Sequence, residues 1–151
     1  MPLYLEDLQP GQQWQSPPLT VTEEMIFAFA REHDPQPFHL DHTAADASLF
    51  GGLAASGWHT AALSMRLAVG SGLELANGHV GMGIDGIRWP KPVRPGDTLR
   101  VTVEVLAVTA SRSQPGWGVM KARWTTHNQH GDVVAEILPN YWVQGRTAAG
   151  A

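Results

Sequence analysis

The sequence predicts an α+β fold in which one long buried helix lies along a curved antiparallel sheet. Three observations predict it. Residues 53–72, "LAASGWHTAALSMRLAVGSG", contain no proline and are rich in Ala, Gly and Ser. A helix with such small side chains lets other backbone approach closely. Residues 101–108, "VTVEVLAV", alternate, with Val101, Val103 and Val105 on one face, the period of a half-buried strand. The chain also changes character near its middle, from helical patterns to strand patterns separated by Gly- and Pro-containing turns.

Taken in order, residues 1–19 are rich in Pro and Gln and read as an extended lead-in. "TVTEEMIFAFAREHD" then starts a helix. Thr22 is the expected N-cap, with Glu23 and Glu24 in the first turn where the helix dipole favours acids. Thr20 with Glu23 is an alternative capping box. Met25, Ile26, Phe29 and Ala30 form its apolar face, and Pro35 stops it near His33. "DHTAADASLFGG" reads as a short helix capped by Asp41 or Thr43 and closed by Gly51. The long helix follows, with polar Ser56, His59 and Thr60 at its start.

"GMGIDGIRW" (81–89) reads as a strand weakened by Gly83 and Gly86. "VRPGD" places Pro95 and Gly96 at the central positions of a type II turn. "GVMKARWTTH" and "GDVVAEILPNYWV" are further strands joined by a turn at "NQHGD". The end of the chain, "GRTAAGA" (145–151), reads as frayed. The whole is expected to be a single domain over residues 1–147, with 148–151 a flexible C-terminal tail.

Composition excludes several classes. The chain has 151 residues, an apolar content of 43% and no stretch long and apolar enough for a membrane span, so a globular domain is expected. The N-terminus lacks a basic region followed by an apolar run, and a cytoplasmic location is expected. The absence of cysteine removes disulfides, thiolate ligands and a thiol nucleophile. A net charge of −4 argues against nucleic acid as a partner. Four basic residues, Arg88, Lys91, Arg94 and Arg100, nevertheless fall close together and leave a local anion site open. The tryptophans Trp58, Trp89, Trp117, Trp124 and Trp142 are expected in the core or at a dimer interface.

The most informative stretch is "DPQPFHLDH" (34–42). It reads as a solvated polar turn, as an acid–base pair, or as a metal site using His33, His39 and His42. The metal reading matches no familiar ligand spacing. In the acid–base reading Asp34 and His39 stand five residues apart, with Pro35 and Pro37 stiffening the connection. Pro37, Phe38 and Leu40 are expected to desolvate the pair and shift both pKa values towards the working pH. In "ASGWHT", Gly57 allows close approach to a helix start, whose unpaired N–H groups suit a developing oxyanion. Ser56 and His59 beside it are candidate substrate-binding residues.

"FAREHDPQPFHLDHTAADASLFGGLAASGWHTAAL", followed by "IRWPKPVRPGDTL", resembles the MaoC-like dehydratase family of the (R)-specific enoyl-CoA hydratase type. The resemblance runs from about residue 20 to 143, and its most specific part is Asp34, Pro37 and His39. It implies a hot-dog fold paired as a homodimer or dimer of dimers. It implies syn addition of water across a trans-2-enoyl thioester of CoA or acyl carrier protein, or the reverse, with no cofactor and no metal. Asp34 and His39 would activate one water, and the Gly57 N–H would bind the thioester carbonyl. The family motif usually has Asn where Gln36 stands, and many members have His–Gly where this chain has Ser56–Gly57. Two alternatives stand beside it: a hot-dog thioesterase, and a non-catalytic acyl-thioester-binding module. The thioesterase typically needs an acid on the long helix, and none lies between Leu53 and Gly72.

Overall fold

The computed structural model describes residues 1–149. Four long strands make the body of the sheet: β3 (Val80–Arg88), β4 (Thr98–Ala110), β5 (Trp117–His127) and β6 (Val133–Gln144). Two short ones, β1 (Gln13–Gln15) and β2 (Leu19–Thr20), pair with β4. The order is β1-β4-β5-β6-β3, and every pairing is antiparallel. Residues 1–19 are therefore more than a lead-in. Leu5–Asp7 form a 3-10 turn, and β1 and β2 cover the edge of β4 that would otherwise present unpaired backbone.

The core lies between this sheet and helix α4 (Gly57–Val69), which packs on β4, β5 and β6. Val101, Val103 and Val105 are fully buried beneath it, as their alternation predicts. Met120 and Ala122 from β5 and Ile137, Tyr141 and Val143 from β6 complete the inner face. From the helix come Leu63, Leu67 and Ala68, with Thr60 and Ser64 between them. Each large apolar side chain buried here contributes roughly 1.5–3 kcal/mol. Ser64 Oγ lies 2.6 Å from Thr126 Oγ1, so the polar atoms at this close contact satisfy each other. A long helix wrapped by an antiparallel sheet is the hot-dog arrangement.

Helix α4 is shorter than the small-residue run. Residues 53–56 belong to no helix or strand, and the Ala55 N–H donates to the Val93 carbonyl at 2.9 Å. The helix begins after Ser56, whose Oγ accepts the Trp58 N–H. Helix α1 (Glu23–His33) begins at Thr22, whose hydroxyl accepts the Met25 N–H at 3.2 Å. The alternative cap, Thr20, sits in β2 with its hydroxyl 3.1 Å from that of Thr98. Between them lie two short helices, α2 (Pro37–Leu40) and α3 (His42–Asp46). Asp41 caps α3 by accepting the Ala44 N–H at 2.9 Å. That helix stops at Asp46, and Gly51, at φ +62°, closes a separate turn. No helix among the described residues is long and apolar enough to cross a membrane.

In "VRPGD", Gly96 has φ +89° and the Asp97 N–H returns to the Arg94 carbonyl at 3.1 Å, as a type II turn requires. The glycine-weakened strand β3 carries bulges at Gly81–Gly83 and Ile84–Ile87. Pro139 of β6, opposite Ile84, has no N–H to give to the ladder, which accounts for the irregular pairing there. The tryptophans divide by burial. Trp124 is buried, but Trp58 and Trp89 are exposed, and Trp117 stacks on Trp142 at 5.6 Å while both remain half-buried. Within the end read as frayed, the Gly145 N–H donates to the Gly116 carbonyl, and residues Arg146–Ala149 form a 3-10 turn. The Arg146 guanidinium meets Asp7 at 2.8 Å. Residues 150 and 151 of the expected tail lie outside the described residues.

Candidate active site

Proline geometry builds the site from residue 34 onward. Pro35 disfavours helical geometry at Asp34, which leaves α1 with φ −150° and ψ 66° while its N–H still reaches the Ala30 carbonyl. Pro37 then starts α2 at the one position where a missing N–H costs nothing. That single turn points His39 inward, where it is 4% exposed. The stretch read as a turn is thus a one-turn helix that aims an imidazole back at the residue ending α1.

His39 Nδ1 lies 2.7 Å from the Ala54 carbonyl oxygen. A carbonyl only accepts, so Nδ1 carries a proton, and in the neutral form of the ring Nε2 is the bare nitrogen. Nε2 faces Asp34 Oδ2 at 3.4 Å. Asp34 is held in turn: Gln36 Nε2 donates to Oδ1 at 2.5 Å, and Ser56 Oγ donates to Oδ2 at 2.6 Å. Burial alone would raise the Asp34 pKa. The hydrogen bonds from Ser56 and Gln36, with the neighbouring His39, outweigh it and hold the carboxyl below the usual carboxylate range. The expected shift of Asp34 towards neutral pH is therefore reversed. Gln36 is also more than a turn variant, because its side chain binds the carboxylate.

The pair opens on a cavity of about 580 Å³ whose walls include Phe50, Gly57, Thr60, Trp89 and Arg94. Phe38 and Phe50 flank the His39 ring, with centroids at 4.6 and 5.9 Å. Gly57 opens α4, so its N–H is among the donors a helix leaves unpaired. A Cβ at Gly57 would stand 2.7 Å from Trp89 Cε2, so only glycine lets the indole lie against the helix start. Ser56 binds Asp34 and caps α4 at once, joining the polar run to the long helix.

The other candidates lie apart from this pair. His59 is not among the cavity walls; its ring stacks on Phe29 at 4.7 Å, and burial lowers its pKa, favouring the neutral form. His42 pairs with Glu23, and His33 lies 3.8 Å from Glu32 with its ring tilted on Phe29. The three histidines of the metal reading thus point to different surroundings. Among the described residues no three His, Asp or Glu side chains gather as a ligand set. Of the four clustered basic residues, Lys91 and Arg94 reach the cavity, while Arg88 and Arg100 are exposed. Lys91 pairs with Asp132 at 3.0 Å. The sequence reading missed Phe50 and Thr60 as cavity walls. For Trp89 and Arg94 the available signal was their place just before the sheet turns at Pro95–Gly96.

The chain matches the MaoC like domain over residues 7–126. A MaoC-like dehydratase from Rhodospirillum rubrum is 51% identical and superposes with a TM-score of 0.91, covering 95% of this chain and 98% of that one. The unliganded R-hydratase PhaJ1 from Pseudomonas aeruginosa is 26% identical with a TM-score of 0.70, covering 94% of this chain and 85% of that one. The uncharacterised protein YdeM of Bacillus subtilis is 33% identical over 125 residues, 83% of this chain and 87% of that protein.

Proposed function

The chain belongs to the MaoC-like dehydratase family, and from that premise we propose that it is an acyl-thioester hydratase or dehydratase. It adds water across a trans-2-enoyl thioester, carried by CoA or acyl carrier protein, to give a 3-hydroxyacyl thioester, or runs the reverse. The observation that carries this reading is the facing of Asp34 Oδ2 and His39 Nε2, 3.4 Å apart at a cavity wall. Carboxylate and bare imidazole nitrogen are both acceptors. One water, with two O–H groups, satisfies both.

Asp34, held low in pKa, is a weak base. Proton transfer therefore falls to His39 Nε2, while Asp34 orients the water and stabilises the imidazolium that forms. The water oxygen bonds to C3 of the acyl chain as one of its protons passes to Nε2. A proton returns from the same side to C2, which completes a syn addition. As electrons move towards the thioester, its oxygen becomes enolate-like, and the Gly57 N–H at the start of α4 donates to it. No metal or cofactor enters these steps. The thioesterase alternative has less support, since α4 carries no acid to attack or activate at the thioester.

The reading is tested by hydration of a panel of trans-2-enoyl-CoA chain lengths, with chelator present, followed by loss of the conjugated thioester absorbance. Hydration of at least one chain length is expected. Thiol release without hydration would replace this function with thioester hydrolysis, and activity abolished by chelator and restored by one divalent ion would replace the acid–base chemistry.

The active form is a homodimer in this proposal. Among the described residues strand β3 pairs only with β6, which leaves its other edge free, and the strand exposes Val80, Met82 and Ile84. Pairing with a second copy would cover that edge. Light scattering should give about twice the 16.4 kDa chain mass; a monomer mass at micromolar concentration contradicts it.

A further inference from the structure

Arg94 is a half-buried cation whose guanidinium, among the described residues, hydrogen-bonds only backbone carbonyls. Its Nη1 donates to the Gly52 carbonyl at 2.8 Å and to the Leu53 carbonyl at 3.3 Å. Its Nη2 donates to the Phe50 carbonyl. Three carbonyl dipoles converging on one point repel each other, and leaving buried ones unpaired costs roughly 1–3 kcal/mol each. The planar fork of donors answers all three at once. Arg94 is itself fixed. Its N–H donates to Asp97 Oδ2 at 2.9 Å, and Asp97 Oδ1 accepts from Gln129 Nε2 at 2.9 Å. Next to it, Val93 accepts the Ala55 N–H at 2.9 Å.

The segment clamped in this way, 50–55, supplies two contacts to His39. Phe50 flanks the imidazole, and the Ala54 carbonyl holds Nδ1. We propose that Arg94 is a positioning residue for His39. By tying the carbonyls of residues 50, 52 and 53 together, it fixes the Ala54 carbonyl that keeps the imidazole Nδ1-protonated with Nε2 towards Asp34. Its link to turnover rests on the hydration reading above; its link to the His39 ring does not.

The test uses Arg94→Ala and Arg94→Lys in the full chain, with Arg94→Lys supplying the result if Arg94→Ala does not fold. Lysine keeps the charge but cannot span three carbonyls. Both variants should lose at least about tenfold in kcat with KM nearly unchanged, equivalent to about 1.4 kcal/mol in barrier. Millimolar methylguanidinium should restore kcat to Arg94→Ala, and ethylammonium should not. In ¹⁵N-histidine spectra recorded without substrate, the His39 Nδ1–H signal should shift or exchange away in both variants. A raised KM with kcat intact would assign Arg94 to substrate binding and overturn the proposal. So would a His39 spectrum identical to that of the unaltered protein. Because the spectra need no turnover, failure of the hydration assay would overturn the reaction while leaving this inference to be decided by the ring signal.

Discussion

Of the carboxylate–imidazole pairs in this part of the chain, two invite comparison: Asp34 with His39, and Glu23 with His42. In both an acid from the α1 region faces a histidine from the segment that follows it. The first pair has side chains 17% and 5% exposed, the second 45% and 59%. The first acid accepts from Ser56 and Gln36, and its histidine is held by the Ala54 carbonyl. Among the described residues the second pair has no further hydrogen bond to either side chain, and His42 otherwise rests edge-on against Phe27. The difference teaches what separates a surface ion pair from a site able to carry chemistry. Proximity is common to both. Burial, assigned proton positions and an adjoining cavity belong to one.

The comparison breaks most visibly when the members of the buried pair are changed. Asp34→Asn and His39→Ala should each lower the hydration rate by about a hundred- to ten-thousand-fold, the usual range for general acid–base groups. Steady-state rates on crotonyl-CoA and longer enoyl-CoA substrates check this.

A smaller effect should follow from loosening the buried acid. Ser56→Ala removes one of the two donors that hold the Asp34 pKa down. About tenfold should be lost from kcat/KM, and the Asp34 carboxyl, followed by its NMR signal, should take up its proton at higher pH. The sign follows from the bond removed: less stabilisation of the charged form means protonation at higher pH. The same loss acts on stability. A depressed carboxyl stabilises the fold above its unfolded pKa of about 3.9, and that contribution fades as pH falls through the folded value. The stability advantage of the unaltered protein over Ser56→Ala should therefore shrink on acidification, as denaturant titrations at several pH values would show. The lost α4 cap adds a pH-independent cost of about 0.5–2 kcal/mol.

The exposed pair sharpens the contrast by its indifference. His42→Ala and Glu23→Gln should keep activity within tenfold, under about 1.4 kcal/mol in barrier, and His33→Ala should do the same. Exposed ion pairs contribute about 0–1 kcal/mol to stability, so thermal unfolding should move little.

Much of the fold was legible in the sequence because local rules and tertiary packing agree there. The alternation of Val101, Val103 and Val105 matches a strand with one buried face. Thr22 and Pro35 bound α1 as capping and proline sterics require. Two features depended on contacts between distant residues. The lead-in became strands because β4 offered an edge, and no period in residues 13–20 announces that. The small-residue run became helical only from Gly57 because Ala55 is taken by Val93.

The Asp34–His39 pair was visible as a spacing, but its electrostatics were not. Phe38 and Leu40 suggest desolvation, whereas the donors that decide the Asp34 pKa are Ser56, twenty-two residues away, and Gln36. His59 was legible as a polar residue at the helix start. Which way its ring turns is set by Phe29 on another helix.

The central claim is that Asp34 and His39 act on one water as a unit. The most direct measurement is a double-variant cycle on the hydration rate, with Asp34→Asn, His39→Ala and the two combined. Residues that serve one event are non-additive. The account predicts that the double variant is little slower than the slower single one. Multiplying losses would contradict it and make the two residues independent contributors. Near-normal hydration by Asp34→Asn, with His42→Ala inactive, would move the site to the other pair.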